Sequence, residues 1–221
     1  VISFKNIQKR IDAGYLEAVA VSATSYASGN SVAFFQGRDS LRHWRRNKRI
    51  GVRAELGIEH LLASSAIPGI FPAEKVGRQY FGDGSLRQLS PLSPALKLGA
   101  DRIVVIGTRG VNKTSISTRR DHIPSLAQTM GHIFNSAFVD TLENDLEQML
   151  RINELLGLLD NEIHDFSSYK FRPIDTLVVR PTIDFDEIAS EHVVDLPRGV
   201  RMGLYAMGAR KSSGGGNLAS Y

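Results

Sequence analysis

A chain of 221 residues can bury one core and still carry an appended helical unit. Its 42% hydrophobic and 23% charged content is ordinary for a globular protein, and no apolar run approaches the roughly 18 residues of a membrane span. It has no cysteine, which excludes disulfides and thiolate metal sites and fits a reducing compartment, and its net charge of +4 hides a local excess: residues 38–53 hold seven cations against Asp39, a net +6 that leaves −2 for the rest.

In chain order, Ser3 can cap a short helix over 4–13, closed by Gly14. Residues 16–25 and 31–36 read as strands around the Ala27-Ser28-Gly29-Asn30 turn, and the pair predicts a hairpin. The basic segment 38–53 reads as loop with some helix. Helical spacing over 54–66 ends at Pro68. Residues 78–81 are extended and lead into a turn at Asp83; residues 94–98 are helical and stop at Gly99. The apolar run 102–107 predicts a buried, parallel strand. Residues 108–121 read as an exposed loop. A helical stripe then runs from Pro124 to about Asn161. Another short buried strand is expected at 176–180, a glycine-weakened helix at 198–210, and a low-complexity tail at 212–217. Strands alternating with helices predict α/β layering with a mixed, largely parallel sheet.

Two segments carry chemistry. Ala-Ser-Ser-Ala-Ile-Pro-Gly-Ile-Phe-Pro, residues 63–72, is small and apolar and holds two prolines. Asp83-Gly84-Ser85 follows and presents one carboxylate from a tight turn, which suits a general base; Asp-Gly is equally a common turn pair with no chemistry. Together with residues 91–95 and 99–107, these segments resemble the patatin-like acyl hydrolases. Ala63, Ser64, Pro68, Phe71 and Pro72 match that family's proline segment, and Asp83 and Gly84 match its DG-small motif. Ser85 departs from the commoner glycine or alanine, and its hydroxyl is expected to bond the Asp83 carboxylate.

The resemblance implies a layered α/β/α domain and a serine hydrolase of lipase or phospholipase A type, active in lipid degradation. A Ser-Asp dyad would form an acyl-enzyme with no metal or organic cofactor. It implies Asp83 as the catalytic base. Ala63, Ser64, Ala66, Ile67, Pro68, Ile70 and Phe71 would form the wall of an acyl pocket. The family's GxSxG elbow is missing: Ser28 has no glycine two before it, Ser31 has Ala33 rather than glycine two after it, and Ser212 and Ser213 precede the glycine run. Ser64 and Ser65 lack an elbow as well. The expectation is therefore an internal piece of a longer enzyme, inactive alone, with the nucleophile upstream. Residues 1–122 would be the acid-bearing part of the catalytic domain, 123–165 a long helical element, 166–211 a strand and helix completing or flanking the domain, and 212–221 a flexible tail. The alternative is a non-catalytic lipid-binding or protein-interaction module without an elbow.

The other candidates are weaker. None of the six histidines forms HxxH or HExxH, and His60 reads as a helix-face residue. Asp140, Glu143, Asp145 and Glu147 read as a solvated acidic face lacking the EF-hand pattern. Gly107-Thr108-Arg109-Gly110 and residues 214–216 match no nucleotide-binding spacing. In the basic segment, Arg42, Trp44, Arg45, Arg46, Lys48 and Arg49 are either a solvated loop, a contact for anionic phospholipid head groups, or, least well supported, a nucleic-acid contact. A lipid substrate favours the second, and with it a cytoplasmic protein peripheral to a membrane and without a nucleic-acid partner.

Overall fold

The computed structural model describes residues 4–87, 91–107, 126–158 and 172–182, with 192, 195, 198–199 and 201–202; within 126–141 the side chain of Thr129 alone is described. Ser3, the loop at 108–121, most of the helix expected at 198–210 and the tail at 212–221 lie outside the described residues. The described chain is mixed α/β. It forms two compact units, one from Val1–Arg102 with Asp140–Ile174, the other from Ile103–Val139 with Asp175–Tyr221.

In the first unit, β1 (Ala18–Ser25), β2 (Ser31–Gly37), β3 (Trp44–Arg46), β4 (Arg49–Arg53), β5 (Glu74–Val76) and β6 (Gln79–Asp83) form one sheet in the order β3-β4-β2-β1-β6-β5. The expected β1–β2 hairpin is present, with Val21 opposite Phe34 and Ala23 opposite Val32. The sheet is not largely parallel. Only β2–β4 is parallel; β1–β2, β1–β6, β3–β4 and β5–β6 run antiparallel. Tight turns join three of the pairs, and short turns can only return a strand antiparallel. Gly29 at φ 64°, Lys48 at φ 56° and Gly77 at φ 61° take the left-handed conformation those turns need.

The basic segment holds no helix either. It is the β3–β4 hairpin, in which Arg53 donates from Nη1 to the Gly37 carbonyl at 2.9 Å and from Nη2 to the Leu41 carbonyl at 3.0 Å. One arginine thus fastens the preceding loop to its own strand.

Register assigns the two faces, because opposed residues share a side. The first face carries Val19, Val21, Ala23, Phe34, Val32, Val52, Phe81 and Asp83. Helix α1 (Lys5–Asp12) covers it through Ile7, and α2 (Ile58–Ser64) through Ala63. Phe34 meets Phe81 edge-on at 5.1 Å and His60 at 4.8 Å. The second face carries Ala18, Ala20, Ser22, Phe35, Gly51, Trp44, Arg46, Arg49 and Arg53. Here Phe35 is fully buried and stacks on Trp44 at 5.1 Å. Helix α3 (Ser93–Lys97) starts with Pro94 in its first turn and stops at Gly99, φ 97°.

Helix α4 spans Leu126–Leu158. Its Asp145 is not simply solvated: Oδ2 accepts the Leu92 amide at 2.9 Å. Asn153 clasps Ile174 through both backbone groups, at 2.8 and 2.9 Å.

In the second unit, β7 (Arg102–Ile106) pairs with β8 (Asp175–Val179) in a two-stranded sheet, and the Gly107 amide reaches the Val179 carbonyl at 2.9 Å. β7 is not buried on both sides as expected. Ile103 and Val105 are buried, while Val104 is 63% and Ile106 79% exposed. The apolar run is a strand with one covered face. Among the described residues no helix is long and apolar enough to cross a membrane.

Candidate functional site

Asp83 closes β6, where the strand passes into a 3₁₀ turn over Gly84–Arg87. It is 7% exposed, and its register partner is Ala23 on the first face. Three bonds fix its backbone and side chain. Its amide donates to the Ala66 carbonyl at 3.0 Å, its carbonyl accepts the Thr24 hydroxyl at 2.8 Å, and its Oδ1 accepts the Ser85 amide at 2.9 Å. The Ser85 hydroxyl does not make the expected bond; the backbone does. Oδ2 takes no hydrogen bond from the described residues. No buried polar side-chain atom among them lacks a partner, so Oδ2 keeps contact with solvent. Gly84 is required by proximity: a Cβ there would overlap the Ser22 carbonyl of β1.

The Ser85 bond gives a direct check. Ser85→Ala keeps the amide donor and is expected to stay within about 0.5 kcal/mol of wild type, as surface changes do. Ser85→Pro removes the donor to a charged acceptor and is expected to cost about 1–3 kcal/mol. Thermal melts of the two variants read the difference.

The segment 63–72 divides. Ala63 is buried in the first-face core and Ala66 is also buried; Ser64, Ile67 and Pro68 are half-buried; Ile70 and Phe71 are exposed at 58% and 56%. With Ile58 and Leu62 of α2, also exposed, they leave apolar surface close in sequence to the Ala66–Asp83 bond. Ser65 is held by its own helix, its hydroxyl donating to the Leu61 carbonyl at 3.0 Å. No described hydroxyl bonds the Asp83 carboxylate. His60 lies on α2, as expected, and is buried. Its Nδ1 accepts the Gly57 amide at 3.0 Å, so the third helical residue reaches back to cap the helix start.

An open cleft of about 570 Å³ lies on the second face, lined by Glu17, Ala18, Ala20 and Ser22 of the β1 region and by Pro94, Ala95 and Leu98 of the α3 region, among others. None of residues 63–72 lines it. No protein-family model matches the chain, and no curated protein matches it. Among the described residues no three His, Asp or Glu side chains gather as a metal site.

The basic segment is spread over the β3–β4 hairpin. Arg45 and Lys48 are exposed near its turn, as is Arg42 in the preceding loop, while Arg46 and Arg49 oppose each other on the second face. Trp44 is engaged with Phe35 and lies over Gly51, where a Cβ would strike its ring. Burial, with the charges of Arg46 and Arg49, lowers the Lys97 pKa below its ordinary 10.5. Between that lowered value and 10.5 the unfolded chain binds more protons, so stability rises with pH across that window. Charged Lys97 is therefore a cost, fully present at neutral pH. Lys97→Gln is expected to melt higher than wild type near neutrality. The gap should close as pH approaches 10.5 in paired melting curves.

Proposed function

We propose that this chain is the acid-bearing part of a serine acyl hydrolase of the patatin-like type, cleaving lipid ester bonds. The observation that carries the reading is the Asp83 carboxylate: one oxygen is fixed by a backbone amide, the other takes no hydrogen bond from the described residues, and the residue sits in a bracing of three hydrogen bonds. A base so placed needs no reorganisation before it takes a proton. Oδ2 would take the proton of a serine hydroxyl supplied from outside these 221 residues, since no serine of the sequence stands in GxSxG. The serine oxygen attacks the ester carbonyl, the alcohol leaves with the proton, and water then cleaves the acyl-enzyme. The exposed Ile70 and Phe71 suit contact with an acyl chain.

The deciding experiment reads the coding sequence upstream of Val1 and assays the extended protein on a nitrophenyl ester. A GxSxG upstream together with hydrolysis supports the enzyme. An in-frame start near Val1, or no turnover, leaves a lipid-binding module, which the second-face cleft favours.

Peripheral contact with an anionic membrane belongs to the same proposal. Arg42, Arg45 and Lys48 are all exposed around the hairpin. Each basic residue near such a surface is worth about 1 kcal/mol. Changing all three to Ser is expected to weaken co-sedimentation with acidic vesicles at low salt, with the difference fading as salt rises. Equal sedimentation of both proteins at low salt removes the membrane role.

A further inference from the structure

We propose that the exposed face of the β7–β8 pair is an interface between two copies of this chain, packed face to face about a twofold axis that runs along the strands. The inference does not depend on the role of Asp83. The two strands run parallel. The Gly107 amide, just past the end of β7, reaches the Val179 carbonyl at the end of β8. Ahead of the strands, Arg172 donates to the Ala100 carbonyl at 3.0 Å and pairs with the Asp101 carboxylate at 2.6 Å. Both strands are five residues long, so these ties set Arg102 abreast of Asp175, Val104 of Leu177 and Ile106 of Val179.

Alternation identifies the free face. Ile103 and Val105 are buried, whereas Val104, Ile106, Leu177 and Val179 are all exposed. These four aliphatic side chains share one uncovered side of the pair. Parallel strands are ordinarily covered on both faces, and two strands alone are marginal, so such a face calls for a cover. Its charged margin selects the cover. Arg102 and Asp175, the first residues of the two strands, are both exposed and stand at one end of the face. Neither side chain has an ion-pair or hydrogen-bond partner among the described residues. A twofold axis along the strands lays β7 of one copy over β8 of the other without reversing their direction. Arg102 of each copy then meets Asp175 of the other, while Val104 and Ile106 meet Leu177 and Val179. The face is therefore complementary to itself in both apolar surface and charge. A lipid or an uncharged apolar surface would cover the aliphatic part and leave both charges unmatched.

Sedimentation equilibrium of the 221-residue chain tests this. The patch is small for an interface, so a dimer with a Kd on the order of 10 µM is expected. Leu177→Lys places a charge in the apolar centre and should weaken the dimer at least about tenfold, with the melting curve of the dilute protein unchanged. Val104→Lys replaces it if that curve shifts. Arg102→Asp sets acid against acid across the interface, and Asp175→Arg sets base against base. Each should weaken self-association about tenfold. Mixed in equal amounts, the two variants should associate with each other about as tightly as wild type does, because every Asp then faces an Arg. A role confined to one chain cannot produce that recovery. The proposal is overturned if the chain stays monomeric at about 200 µM, far above the expected Kd. It is overturned equally if the lysine variant dimerises like wild type, or if the mixture fails to recover association. A monomer that co-sediments with neutral phosphatidylcholine vesicles gives the face to lipid and overturns it as well.

Discussion

Asp83→Asn, in a protein extended upstream to include a nucleophile, is expected to lose about 10² to 10⁴ in hydrolysis rate. The substitution isolates the chemistry from the architecture. An asparagine Oδ1 still accepts the Ser85 amide, and the backbone bonds to Ala66 and Thr24 do not involve the side chain. What disappears is the capacity of the second position to take a proton. Folding should therefore survive while turnover falls. Asp101→Asn is the companion change, since that carboxylate is exposed and paired with Arg172 at 2.6 Å; most of the activity should remain. Should Asp83→Asn melt like wild type and keep more than about a tenth of the rate, against the hundredfold or greater loss expected of a base, Asp83 is a turn residue and no more.

Phe35→Ala is expected to cost about 3–5 kcal/mol, as large-to-small changes at buried aromatic positions do. For a chain of this size that is a fall of about 6–20 °C in melting temperature. Phe35 is completely buried between neighbours that depend on it. Trp44 stacks on it at an interplanar angle of 21°, and the Arg53 guanidinium lies 5.7 Å from its ring centroid. Removing the ring opens a cavity beneath the hairpin and uncovers Trp44. That is the chain's single tryptophan, so its emission should shift to the red in the folded variant. Phe71→Ala, on an exposed ring, should stay within about 0.5 kcal/mol. A Phe35→Ala melt within about 1 kcal/mol of wild type would mean that the hairpin does not rest on this ring.

The β1–β2 hairpin was legible because Val19, Val21 and Ala23 alternate along one strand and a glycine turn follows. The β3–β4 hairpin was not. Its strands read Trp-Arg-Arg and Arg-Ile-Gly-Val-Arg, and a cation count conceals that Trp44, Gly51 and Arg53 share a side. Long arginine stems can cover an aromatic ring while their charge stays in water, so composition alone calls such a segment a loop. The burial of β7 was misjudged for a related reason: a short apolar run such as Ile103 to Ile106 looks the same whether one face is covered or two. Asp83 could be singled out from its glycine neighbour. The tie from its amide to Ala66 joins positions far apart in the chain and left no trace in spacing. The second-face cleft was invisible because Ala18, Ala20 and Ser22 carry no motif; their smallness matters only once α3 is laid against them.

The six-stranded sheet ends on one side in Glu74-Lys75-Val76 and on the other in Trp44-Arg45-Arg46. Each margin is three residues long. A foreign strand arriving there finds too short a ladder to repay its own ordering, and a second copy of the β3 margin meets matched positive charge. The residues that make the chain basic thus also act against runaway polymerisation, keeping a mostly antiparallel sheet from serving as a template for its own extension.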